Sequence, residues 1–342
     1  LLKYLKYILS RSAPHRPFRT VEVLRMEKEG KLTWKIPWKG MLVTFFVSIT
    51  SLFVVFWKIS NPRDIWRELG EYPLSYFFVA LFFVLVAWII DGQRIGMLTK
   101  AVGHPIKWWQ LAFLLGSANF LTLVTPFAGG GGVLIVYALY RRGLKTSVGS
   151  AIVFAGGLAG QSMLALLCLI TTTTLKNVPA DLVMYFNVIK IAALAYLVVL
   201  AILLMGIARS ERIFNWLMQK LRLGERSATW IAEFHSTIKL FLGEARGHYL
   251  ACLATAFCYY VVYYTGSFTL LSGFGVFRPW LRFAVAVLFG LAPVVSPIPG
   301  GAGLSEGISW VVLDGVLDPD ALGSFIVLWR TVVFYIPILL GC

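Results

Sequence analysis

Two eight-residue breaks fall inside apolar stretches of this chain, and nothing else limits its folding as strongly. The first is Thr125-Pro126-Phe127-Ala128-Gly129-Gly130-Gly131-Gly132, the second Ser296-Pro297-Ile298-Pro299-Gly300-Gly301-Ala302-Gly303. Proline removes a backbone donor and glycine weakens a regular helix, so neither break can continue the helices beside it. A broken backbone in hydrocarbon leaves peptide groups unpaired, at several kcal/mol each. Such breaks are viable only where they are buried in protein or line a wet cavity.

The medium follows from composition. Apolar residues form 58% of the 342 and charged residues only 14%, whereas a water-facing surface needs about 25%. A pair of soluble domains is therefore excluded. The balance of 31 Lys and Arg against 16 Asp and Glu could point to nucleic acid, but the bases lie between apolar runs rather than along one face. An anionic membrane surface accounts for them better. Cys168, Cys252, Cys258 and Cys342 lie within apolar runs without a C-x-x-C pair, so neither a disulfide framework nor a metal site is expected. No cofactor is expected either.

About 20 apolar residues cross the hydrocarbon. Crossings are expected at Met41–Trp57, Leu74–Ile90, Ser147–Leu175, Leu182–Ala208, Tyr249–Leu271 and from Ala321 onward. Trp108–Val124 and Val133–Tyr140 flank the first break; Trp280–Val295 and Leu304–Leu313 flank the second. Residues 1–39 form a basic segment, with Leu1–Leu9 a candidate for a surface helix or a solvated tail. Within the polar stretch 209–248, Ile213, Trp216, Leu217 and Leu221 suggest a further helix lying in the interface.

The breaks share Ser/Thr, Pro and three Gly at equivalent places, 171 residues apart, which is half the chain. Duplication explains this and the similar flanks. Most Lys and Arg fall in 1–39, 91–107, 141–146 and 209–248; the stretches near 58–72, 176–181, 272–279 and 314–320 are poor in bases. Basic loops remain cytoplasmic. The first break then enters and leaves from the cytoplasmic side, the second from outside. The expected fold is an all-α polytopic membrane protein: an inverted repeat over 40–176 and 177–342, each half with three spanning helices and one re-entrant helical hairpin. It would sit in the cell membrane with its N-terminus in the cytoplasm.

Each break leads into a helix whose first N–H groups and positive dipole end attract anions. Candidate substrate-binding positions are Thr125, Pro126, Gly129, Gly130, Gly131 and Gly132, and Ser296, Pro297, Pro299, Gly300, Gly301 and Gly303. Glu306 is set wholly inside an apolar element and Arg330 lies in the last span, so the two are a candidate pair, structural or functional. Arg94, Arg141 and Arg142 are candidates for recruiting anionic lipid at the inner leaflet. Lys190 reads as a snorkelling cation, and Gln161 and Asn119 as helix–helix contacts.

Thr-Pro-x-x-Gly-Gly-x-Gly from Thr125, Pro-x-Pro-Gly-Gly-x-Gly-x-x-Glu from Pro297 to Glu306, and Arg330 before Tyr335-Ile336-Pro337 and Gly341 resemble the lysylphosphatidylglycerol synthase transmembrane region, a flippase-like domain family, over roughly 40–342. The resemblance implies a membrane domain that moves an aminoacylated or isoprenoid-linked lipid between leaflets. Members fused to a soluble aminoacyl-transferase imply a possible partner or fused synthase domain. No such stretch lies within these residues, and transferase activity is not carried over.

The leading expectation is thus a flippase or scramblase for an anionic, aminoacylated or isoprenoid-linked lipid, not an enzyme. Gly129–Gly132 lacks the Gly-Lys-Ser/Thr ending of a phosphate-binding loop, so no ATP hydrolysis is expected. The alternatives are a membrane-embedded lipid transferase using His15, His104, His235 or His248, and a scaffold for a separate synthase. Sequence names neither the lipid nor the oligomeric state.

Overall fold

A computed structural model describes residues 46, 50, 62–125, 130–174, 180–209, 225–279, 283–287, 290, 301, 303–313 and 316–341. The expected first crossing, Met41–Trp57, and the basic segment 1–39 lie outside all but two of these, as do Pro126–Gly129 and Ser296–Gly300. Every regular element among the described residues is helical. In chain order they are α1 (Pro62–Glu71), α2 (Leu74–Ala101), α3 (Trp108–Val124), α4 (Gly130–Arg141), α5 (Thr146–Thr174) and α6 (Ala180–Arg209). Then come α7 (Glu225–Leu242), α8 (Arg246–Gly273), α9 (Leu304–Leu313), α10 (Pro319–Arg330), a π-helical turn (Thr331–Tyr335) and α11 (Ile336–Gly341). Among the described residues, three stretches are long and apolar enough to cross a membrane: α2, α5, and α10 through α11 at Pro319–Gly341.

Helices in lipid gain little from burying leucine against leucine, so close approach and shape decide which faces meet. The largest interface joins α2 and α8. Gly266 of α8 sits so near α2 that an added methyl would lie 2.9 Å from Phe83 Cβ and 3.0 Å from the Ala80 carbonyl. At the far end of α8, Gly273 lies under the Tyr72 ring, and the Tyr72 hydroxyl donates to the Leu270 carbonyl at 2.9 Å. Residues 72 and 80 of one partner thus meet 273 and 266 of the other, which makes the pair antiparallel.

Gly92 and Gly96 form a small-x-x-x-small face on α2, and α3 packs against it: a methyl on Gly92 would fall 3.0 Å from the Ala112 nitrogen. Gly156 and Gly160 repeat the device on α5, where Ile95 and Arg94 of α2 lie against them. Gly341 of α11 comes within such reach of Phe120 Cβ (2.5 Å) and the Gly116 carbonyl (2.9 Å), tying the end of the chain to α3.

Two expectations are corrected. α2 runs on to Ala101, so Arg94 belongs to a helix and not to a 91–107 loop. Asp91 and Arg94 are an i, i+3 pair that neutralise each other within α2, and the helix therefore need not end at Ile90. The stretch near 58–72 contains the ten-residue helix α1, which packs on α10. Within 209–248 the described helix is α7 at 225–242, whereas Ile213–Leu221 lies outside the described residues. α7 is docked on α5: Trp230 Nε1 donates to Thr146 Oγ1 at 3.2 Å, Ser147 Oγ donates to Glu233 Oε2 at 2.6 Å, and Lys145 pairs with Glu233.

The last span is present as expected and carries an irregular turn. Ile336 N–H bonds the Thr331 carbonyl five residues back. Pro337 follows; its ring excludes the carbonyl of Val333 from a normal turn and it has no N–H to offer. A π-helical turn absorbs the misfit.

Candidate functional site

The first break is shorter than its composition suggests. Gly130, Gly131 and Gly132 are not loop; they are the first turn of α4. Their value lies in missing side chains: a methyl on Gly131 would come 2.1 Å from Thr122 Oγ1 and 2.5 Å from the Ala118 carbonyl. The start of α4 can therefore press against α3. Thr125 holds the turn from both sides, donating through Oγ1 to the Leu121 carbonyl at 2.6 Å and accepting the Gly130 N–H at 2.9 Å. A threonine at this place is thus an N-terminal cap for the helix that follows.

The second break is capped differently. Gly301 and Gly303 have φ of +68° and +82°, left-handed values that strain any residue with a Cβ. Gly303 has no side chain with which to cap α9. Glu306, third in that helix, reaches back and accepts the Gly303 N–H at 2.8 Å on Oε2, which is half of a capping box. A carboxylate there also meets the positive end of the helix dipole.

Arg330 neutralises that carboxylate. Its Nε donates to Glu306 Oε1 at 2.7 Å and its Nη2 to Oε2 at 2.8 Å, with a longer bond from Nη2 to the Gly301 carbonyl at 3.3 Å. The side chains are 1% and 0% exposed. Guanidinium and carboxylate are both planar forks, which suits them to two-toothed pairing. The Arg330 guanidinium also packs against the rings of Trp329 and Phe334, with centroids at 5.4 and 5.5 Å. Beside Glu306, the fully buried Ser305 hydroxyl makes no hydrogen bond to a described residue.

The expected coupling of Glu306 with Arg330 is thus present, and Gly301 and Gly303 join it. Thr125 and Gly130–Gly132 form a separate assembly on α3 and α4. One amide expected to be open is already paired at each break: Gly130 with Thr125, Gly303 with Glu306. Arg141 is exposed at the end of α4, and Arg142 donates to Gln110 Oε1 at 3.1 Å. Lys190 is exposed on α6. Among the described residues no cluster of His, Cys, Asp and Glu has the makings of a metal site.

Sequence reasoning passed over a second interior charge pair. Arg94 Nε donates to Asp91 Oδ1 at 2.6 Å, and Arg94 Nη1 donates to the Gly156 carbonyl. The pattern Gly92-x-x-x-Gly96, straddling Arg94, was the available signal. The Tyr260 hydroxyl and Arg94 Nη1 both lie within 4 Å of where a methyl on Gly160 would stand, and along α8 Tyr259 stacks on Tyr263 and Tyr260 on Tyr264 with centroids 5.7 Å apart in each case.

Apolar helices of membrane-crossing length, with charge pairs held between them, define an integral membrane protein of the all-helical class. Comparison with known families gives the identification. The chain belongs to the family described as Lysylphosphatidylglycerol synthase TM region, matched over residues 39–341. No curated protein matches the chain.

Proposed function

We propose that this protein is a lipid flippase or scramblase, moving an anionic, aminoacylated or isoprenoid-linked lipid between leaflets. Membership of a family tied to a membrane lipid supports a lipid as the cargo. The task is electrostatic, because an ion moved across bare hydrocarbon meets an idealised cost of order 20 kcal/mol. A protein lowers that barrier by holding opposite charge and hydrogen-bond donors at depth while the acyl chains remain in the bilayer.

One observation carries the reading: Glu306 and Arg330, both in apolar elements and both sealed, meet at a left-handed glycine turn. Two carboxylate oxygens on a guanidinium fork resemble two phosphate oxygens on the same fork. In this proposal the head-group phosphate takes the place of the Glu306 carboxylate on Arg330, and the Gly303 amide and Ser305 hydroxyl stand ready as further donors. The two breaks enter from opposite faces as re-entrant hairpins of an inverted repeat. The 1–39 segment faces the cytoplasm, and Arg141 and Arg142 gather anionic lipid there.

The test is translocation of a labelled phospholipid in proteoliposomes. Glu306→Gln and Arg330→Ala should each slow it at least tenfold at equal protein density. Wild-type rates in both would remove the pair from transport. A chemically altered lipid recovered from purified protein would favour a transferase instead.

A further inference from the structure

Arg330 is the only Lys, Arg or His between residues 283 and 342. With Glu306 it forms a sealed unit of one positive and one negative charge. The two Glu306 oxygens accept three donors: Arg330 Nε on Oε1, and Arg330 Nη2 with the Gly303 N–H on Oε2. An acid proton on either oxygen would have to displace one of these donors, so the pair as it stands holds a carboxylate.

A phosphate on the same guanidinium changes the charge count. The reading above places a head-group phosphate on Arg330 where the carboxylate was, and the present inference rests on that reading. One cation would then face two anions. The displaced carboxylate remains on the buried face of α9, which carries Ser305, Glu306 and Ser309 at 0% exposure. No second cation follows residue 283 to receive it. An uncompensated carboxylate in apolar surroundings becomes neutral by taking a proton. Ser305 can serve the phosphate as a donor without adding charge.

No other group packed near the pair competes for that proton. Ile308, Val312 and Leu313 of α9 belong to one apolar cluster with Trp329 and Phe334. The titratable side chains of that cluster are the phenols Tyr72, Tyr76, Tyr263 and Tyr335, which keep their protons up to about pH 10. Asp318 and Asp320 lie at the opposite end of α10, at least ten residues or about 15 Å from Arg330. α1 meets α10 at Ser324, whose hydroxyl donates to the Ile65 carbonyl; its Arg67 and Glu71 are exposed and Glu68 partly so.

We propose that Glu306 is a proton-binding site and that the protein carries out electroneutral proton–lipid symport. Carboxylate, proton and phosphate monoanion become a neutral acid beside a guanidinium–phosphate pair. One O–H bond forms on a Glu306 oxygen, and the proton leaves water that enters with the head group. The site has no net charge before or after. Release on the far side returns the proton there, and Glu306 closes again on Arg330. A pH gradient therefore drives the lipid toward the alkaline side, whereas membrane potential does not act on the loaded site.

The experiment begins with phosphatidylglycerol binding to the full chain in detergent between about pH 5.5 and 8.5, where this phosphodiester probe keeps one charge. Wild type should take up one proton per lipid bound, read with a pH dye in weak buffer. Its affinity should fall about tenfold for each unit rise in pH. Glu306→Gln should bind without proton uptake and without that slope, and Arg330→Ala should lose binding. In proteoliposomes an acid interior should speed movement of labelled lipid to the outer leaflet at least threefold, and a potassium diffusion potential should leave the rate unchanged. Binding without proton uptake in wild type, a measurement that needs no variant, overturns the proposal; the transport reading survives that result if lipid still crosses. Proton uptake on binding without any translocation sinks the transport reading and keeps the proton site. Absence of binding at every pH, a rate that follows the potential, or a folded Glu306→Gln protein that retains the proton count also overturns the proposal.

Discussion

Arg330 grips both oxygens of Glu306, at 2.7 and 2.8 Å, while one of those oxygens also receives the Gly303 amide. The carboxylate joins the start of α9 to the end of α10, with both side chains almost wholly buried. Removing either partner strands the other in a dry interior. Glu306→Ala or Arg330→Met should each cost about 3–5 kcal/mol. The double variant should be less damaged than the sum of the singles. Thermal unfolding in detergent, analysed as a double-mutant cycle, measures the coupling.

Gly131 has no room for a methyl, with Thr122 Oγ1 and the Ala118 carbonyl in its way. Backbone cannot yield as a flexible side chain does. Gly131→Ala should destabilise by about 1–3 kcal/mol, as overpacking does. Gly157→Ala, on the open side of α5 with nothing within 4 Å, is the matched control and should be neutral or slightly stabilising. Denaturant midpoints for the two variants test the contrast.

Glu233 on α7 is held below the usual carboxylate range, first by its hydrogen bond from Lys145 and then by the one from Ser147. A depressed carboxyl pKa means stability that is present above the unfolded value and lost as pH falls through the folded one. The docking of α7 on α5 should therefore hold at neutral pH and loosen below the ordinary carboxylate range. Amide exchange over 225–242 should accelerate there, and Glu233→Gln should remove the pH dependence.

The two breaks, if they enter from opposite faces, should differ in access. Single cysteines at Thr125 and at Gly301, in a background lacking the native cysteines, should react with impermeant reagents from opposite sides of the membrane. Labelling of both from the same side would end the inverted-repeat proposal.

Helix positions were largely legible from hydropathy. Trp108–Val124 and Leu304–Leu313 coincide with α3 and α9, and α5, α6 and α8 differ from expectation by a few residues at their ends. The pair Glu306–Arg330 was legible because an isolated acid in an apolar element needs a partner, and a basic residue stood in the last span. Less legible was anything decided by backbone proximity. Gly130–Gly132 read as a loop because glycine is common to turns and to close helix contacts, and only the position of Ala118 tells them apart. Asp91 and Arg94 read as loop charges because two opposite charges three apart look polar in a one-dimensional plot. In α2 they cancel and fold onto a glycine face of α5.

The π-helical turn at Thr331–Tyr335 has a consequence for the end of the chain. Each residue advances an α-helix by about 100°, so one extra residue in the turn re-aims everything beyond it by roughly that angle. Gly341 meets Phe120 because of this added phase. Excising a single residue from the turn would swing the smooth flank of α11 aside and present α3 with Leu339 or Leu340 instead. The azimuth of the terminal helix is thus set by where a proline forbids an ordinary turn, seven residues from the arginine that holds Glu306.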